Sequence, residues 1–271
     1  MAHGKDPKAE RMYTMDSKQT GRKRTGLVVA LALCCILAVG GVFAWFSAQD
    51  SKTNTFIQGN SITEPEVKPD PDRPTEPGTE ETNPDTDGNI IETDWDDKSP
   101  LTPGSITPKN PNMGIGGDSR PTYVFAMVEN ALPADAYFVL GKGWKPVDGY
   151  FAEYSGTKNA AITDPQAKTY TKGLFVYVGD SGSDWAMLAP TPGVPKNRAN
   201  YTGELFDKIY TSDGFDATQI TDDKNSITVS AYFAAASGDH EYADGSKNQL
   251  TDEAKKEIEA NVKKWAEKVK A

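Results

Sequence analysis

Apolar positions along this chain fall into three patterns. An uncharged run occupies residues 26–46, short strand-length runs recur through the second half, and a helical stripe closes the chain. The short runs are YVFAMV at 123–128, YFVL at 137–140, GYFAEY at 149–154, LFVYV at 174–178 and ITVSAYF at 227–233. Gly, Pro, Asn and Asp punctuate the gaps, and PTPGVPKN at 190–197 reads as a turn region. Several short strands with no helices between them predict an all-β sandwich or barrel. The only helical pattern is at 251–270, where Ala254, Ile258, Val262, Trp265 and Val269 repeat at steps of three and four. Thr251 is placed to cap it, with Asp252 and Glu253 in the first turn and lysines in the last. Its amphipathic face suits docking on the sandwich, or pairing with another molecule.

The uncharged run follows seven basic residues, Lys5, Lys8, Arg11, Lys18, Arg22, Lys23 and Arg24. This is the charge and hydropathy order of a secretory signal, with small residues placed for cleavage between Ala44 and Trp45. A retained anchor is the other reading, since about 20 apolar residues span a bilayer. Basic residues on the N-terminal side would then stay inside. Both readings put everything after Phe46 outside the cytoplasm. Residues 1–44 are thus a signal peptide or anchor, and 45–62 a β-strand segment with Phe56, Ile57 and Ile62 among strand-favouring threonines.

Residues 64–97 hold 13 acids, 2 bases and six prolines. That composition predicts an extended, solvated linker over 63–98, with the sandwich at 99–249 and the helix at 250–271. Without its first 44 residues the chain carries 22 bases against 36 acids, a net charge of −14. Such a balance argues against a nucleic-acid partner. Both cysteines, Cys34 and Cys35, lie inside the apolar run, so the exported part has no disulfide framework and no thiolate metal site.

The stretch AWFSAQDSKTNTFIQGNSI at 44–62 follows a late Gly40-Gly41 pair and carries a TNTF-x-x-G strand on Asn54, Phe56 and Gly59. LTPGSITPKNP at 101–111, LFDKI at 205–209 and ITVSAY at 227–232 come after it in order. Together these resemble the TasA/camelysin-like family of Gram-positive bacteria, exported through SipW-type signal peptidases. KNP stands where that family has KDP, and the acidic segment departs from its pattern as an insertion. The resemblance implies a jelly-roll-like β-sandwich and a secreted or wall-associated structural role. Some members form biofilm-matrix fibres in which the N-terminal strand completes the next subunit's sheet. Carried onto this chain, the self-association residues are Thr53, Asn54, Thr55, Phe56, Ile57, Gly59 and Ile62.

The expected partners are other copies of the chain, matrix or cell-wall components and the signal peptidase. Contact with the membrane is expected only through the N-terminal apolar segment. A membrane-anchored adhesin or binding module is the alternative. A camelysin-like metallopeptidase is disfavoured, because the exported part has a single histidine, His240, and the two histidines of an H-E-x-x-H zinc helix cannot be assembled. No cofactor is expected apart from a weak calcium site. Asn83, Asp85, Asp87 and Asp94 match calcium-loop positions 1, 3, 5 and 12, with Gly88 and Ile90 in register. An Asp-Gly turn accounts for the same residues. GIGGDS at 114–119 lacks the lysine of a phosphate loop and reads as a flexible turn.

Overall fold

The run at 123–128 shows no polar alternation because both of its faces are buried, each against a different layer. The structure, a computed structural model, describes residues 47–48, 52–53, 62–82, 89–94, 101–180, 182, 184–189, 199–220, 226–235 and 251–270. Its N-terminal strands are β1 (Ser47–Ala48), β2 (Lys52–Thr53), β3 (Val67–Asp70), β4 (Arg73–Glu81) and β5 (Ile90–Ile91). Next come β6 (Ile106–Pro108), β7 (Asn112–Gly116), β8 (Thr122–Asn130), β9 (Ala136–Val139) and β10 (Trp144–Glu153). The chain continues through β11 (Thr169–Tyr177), β12 (Met187–Leu188), β13 (Ala199–Glu204), β14 (Lys208–Thr211) and β15 (Ile227–Ala235), and ends in α1 (Asp252–Val269). Every ladder among the described residues is antiparallel, so the fold is the expected β-sandwich with a C-terminal amphipathic helix.

β8 is central to the main sheet. β15 flanks it along nine paired residues, from Thr122↔Ala235 to Asn130↔Ile227. On its other side lie β11 and, at its start, β12. β11 carries β10 on its far edge and runs on past β8 to pair with β9, after which β14 and β6 follow. A smaller sheet of β13, β7 and β5 makes the second layer.

Even-numbered β8 residues, Val124, Ala126 and Val128, face the core between the layers with Met113, Ile115, Phe138, Phe175 and Phe233. Odd-numbered residues, Tyr123, Phe125 and Met127, face outward onto α1 with Tyr232, Ile258, Val262 and Trp265. The helix stripe therefore docks on the sandwich, with Thr251 accepting from the Ala254 N–H as its cap.

Two expectations are corrected. The acidic stretch is not an extended spacer where it is described. Its residues form the β3–β4 hairpin and β5, and Val67 and Ile91 are buried with Ala199 and Tyr201. The Tyr201 hydroxyl donates to the Val67 carbonyl. Val67 of the hairpin, with Pro65 and Pro69, and Ile91 of β5 are buried, while Glu66, Asp72, Glu76, Glu80 and Glu81 stay exposed to water.

GIGGDS is a turn only in its second half, where the Ser119 N–H donates to the Gly116 carbonyl; 114–116 belong to β7 and are buried. Its glycines serve close approach. A Cβ at Gly114 would lie 2.7 Å from Pro65 Cγ, and one at Gly116 would collide with Thr63 Oγ1 and the Glu64 carbonyl. Leu205 and Phe206 of the LFDKI motif are buried and precede β14, which begins at Lys208.

Candidate functional site: an uncharged sheet edge and the N-terminal anchor

Besides the three-residue β6, which ends at Pro108, the main sheet has two long edge strands of opposite chemistry, β10 and β15. At β10, Pro146 cannot donate to an added strand, and the register jumps between Pro146 and Phe151. Proline and bulges are ordinary defences against edge-to-edge pairing. β15, ITVSAYFAA, carries no proline and no charge over nine residues. Among the described ladders it pairs with β8 alone. A long, uncharged edge of this kind is a template for another strand. The short β1–β2 hairpin, Ser47↔Thr53, lies beside β15, with Cα atoms of β1 within 8 Å of it.

Downstream of this hairpin the chain is tied to the body. Ile62 is 2% exposed and sits in the inter-sheet core. The Gly116 N–H donates to the Thr63 carbonyl at 2.7 Å, and the Thr63 N–H donates to Ser119 Oγ at 2.9 Å. Ile62, expected in the pairing strand, is therefore a core residue of its own subunit. Its side chain packs in the core with Met113 and Ile115 of β7, while Thr63, Glu64 and Pro65 lie against the two β7 glycines. Of the other expected self-association residues, Thr53 is in β2, whereas Asn54, Thr55, Phe56, Ile57 and Gly59 lie outside the described residues. The cleavage pair Ala44 and Trp45, and His240, lie outside them too.

A polar clamp holds the segment after β5. Lys109, 3% exposed, places its ammonium 2.9 Å from each carboxylate oxygen of Glu92. Asn110 Nδ2 donates to Thr93 Oγ1 and to Glu204 Oε1, and Asn110 Oδ1 accepts from the Asp94 N–H. No local signal in PKNP marked this pair as buried; only the fold brings residues 92–94 to it. Burial pushes the Glu204 carboxyl above its ordinary 4.5, against the opposing hydrogen bond from Asn110. The native state thus holds the proton more tightly than the unfolded chain. Stability from this group is present below the ordinary value and is lost as pH rises through the raised one. Glu204→Gln is expected to flatten the fall in stability above about pH 4.5. Urea midpoints of both proteins across that range check it, and parallel curves would contradict it.

The remaining chemistry is sparse. Of the calcium candidates only Asp94 is described, its carboxylate accepting from the Thr93 hydroxyl at 3.3 Å; Asn83, Asp85 and Asp87 lie outside. Among the described residues no three His, Cys, Asp or Glu side chains group to hold a metal. Among them, too, no helix is long and apolar enough to cross a membrane, and the run at 26–46 is not included. Asp135 takes a positive φ of 73° and accepts from the Tyr154 hydroxyl at 2.7 Å. Burial and that carboxylate push the Tyr154 phenol up to about 12. Tyr154 stacks on Tyr137 with ring centroids 4.0 Å apart, which braces the loop after β10. Comparison with protein-family models, curated proteins and solved structures yields no match.

Proposed function

We propose that this chain is an exported structural protein of the bacterial cell surface or biofilm matrix. It works without catalysis, by self-association through its N-terminal strand. The observation that carries the reading is the β15 edge, nine residues without charge or proline, with the N-terminal hairpin beside it. Strand addition supplies backbone hydrogen bonds along the edge, while alternate side chains set register. The strand that covers the edge comes from the same chain or from the next copy. Ile62 anchors the donor's own body, and the nine steps from Thr53 to Ile62 reach about 30 Å when extended. That span crosses several strand spacings of about 4.8 Å, so exchange between neighbours needs no unfolding of the sandwich. The acidic segment plays no part as a tether in this scheme, since Val67 is buried in its own body.

The resemblance of the 44–62 stretch to SipW-exported proteins supports the same reading. Cleavage between Ala44 and Trp45 would free the donor strand. A chain beginning at Trp45 is expected to polymerise, and one beginning at Ile62, which keeps the core anchor, to remain monomeric. Light scattering on purified samples measures both. Equal assembly by the two forms would overturn the mechanism.

The uncharged run of 21 residues also favours a second reading, a membrane-anchored adhesin. An intact N-terminus in the mass of the exported protein selects the anchor, and a start at Trp45 selects release.

A further inference from the structure

A cleft of about 710 Å³ opens where β4, the β9–β10 turn, the end of β11 and β13 converge. That volume is typical of small-ligand sites, roughly 300–1,000 Å³. Tyr177, half-buried in its wall, meets Trp144 in a T-shaped contact with centroids 5.8 Å apart. Such a contact engages at most one face of the ring. Gly143 and Gly179 flank the same ring without side chains. A Cβ at Gly143 would touch Tyr177 Cε2 at 3.4 Å, and one at Gly179 would lie 3.6 Å from the hydroxyl. Gly179 also sits at a φ of +60°, which keeps larger residues out.

Around the ring stand three exposed polar residues, Thr75, Lys142 and Asp180. Among the described residues their side chains make no hydrogen bond or ion pair within the chain. The other carboxylates of the lining are engaged: Glu204 accepts from Asn110, and Asp207 pairs with Lys208. The open groups are thus one cation, one anion and two hydroxyls beside a flat ring. An anionic ligand would meet Asp180, a cationic one Lys142. A lipid or other apolar ligand would strand all of these polar groups. Uncharged molecules with many hydroxyls and a flat apolar face satisfy the set, the hydroxyls bonding the charged groups while the ring stacks.

We propose that this cleft binds a neutral oligosaccharide, with one pyranose ring stacked on Tyr177 and its hydroxyls held by Thr75, Lys142 and Asp180. The site lies apart from the β15 edge, so it would let an assembled or anchored chain hold a glycan at the same time.

The test is titration of the full chain with cellotetraose and, separately, with chitotetraose, which differs by its acetamido groups. Tryptophan fluorescence, with Trp144 against the site, reports binding. Saturable binding of either sugar is expected, weakened about ten-fold by Tyr177→Ala. Asp180→Asn and Lys142→Ala, both on exposed residues, should weaken it several-fold with unchanged thermal melting. These two variants keep the test decisive if the Tyr177→Ala protein fails to fold. Absence of saturable binding of both sugars, affinity untouched by the exposed-residue variants, or binding of tetralysine in their place would each overturn the proposal.

Discussion

Trp265→Ala is expected to lower the stability of the chain by about 3–5 kcal/mol, the usual range for deleting a buried tryptophan. The indole is 2% exposed and tilts against Tyr232 with ring centroids 5.4 Å apart. Ile258, Val262 and Ala266 on the same face are fully buried. An 18-residue helix is marginal in water on its own, so α1 exists because this stripe docks. Its other attachments are weak. Lys255 pairs with Asp184 at 2.6 Å, but the Asp184 side chain is 56% exposed and such pairs contribute about 0–1 kcal/mol. The loss should appear as a lower urea midpoint together with a fall in the helical circular dichroism signal. The undocked face would then present Tyr123, Phe125, Met127 and Tyr232, and dye binding should rise. Any association that follows would be of this bare face, and deletion through Ser61 would not abolish it. That separates it from edge-to-edge assembly. An unfolding free energy within about 1 kcal/mol of the parent would show that the stripe does not hold the helix.

The helix and the central strands were legible because their signals are local. A repeat of three and four needs no partner to be read, and an unbroken apolar run of strand length already implies two covered faces. The acidic segment was not legible, because composition weighs every residue alike. Thirteen acids outvote Val67 and Ile91, yet those two residues choose the docking site. The β7 glycines were misread for a related reason: the sequence of GIGGDS does not show that Thr63 and Pro65 cross over it. For the candidate site, the resemblance points to the N-terminal strand as donor, whereas the edge proposed to accept it is visible only in the pairing of β15 with β8 and the contrast with Pro146 on β10. The cleft at Tyr177 had no sequence signature, since its glycines and polar residues come from four separate elements.

Lys109→Ala is expected to destabilise the protein by about 3–5 kcal/mol, although lysine is ordinarily a surface residue. Both carboxylate oxygens of Glu92 lie 2.9 Å from the ammonium, and the two side chains are only 3% and 15% exposed. Removing the lysine leaves a carboxylate largely cut off from water without its cation, which costs far more than the loss of an exposed pair. Lys109→Met combined with Glu92→Leu should recover most of the loss, because an apolar pair of similar volume leaves no charge to desolvate. The double-mutant cycle, read from urea unfolding, should therefore show strong coupling between the two positions. A single-mutant effect below about 1 kcal/mol would mean that water reaches the pair and that it acts as a surface contact. What the pair adds beyond stability is position. With Asn110 it fixes residues 92–94 against the chain that leads into β7, and β7 in turn receives the Ile62 anchor. If the double variant is stable but assembles differently from the parent, the clamp sets where the N-terminal strand leaves the body. If both stability and assembly return together, its contribution is to folding alone.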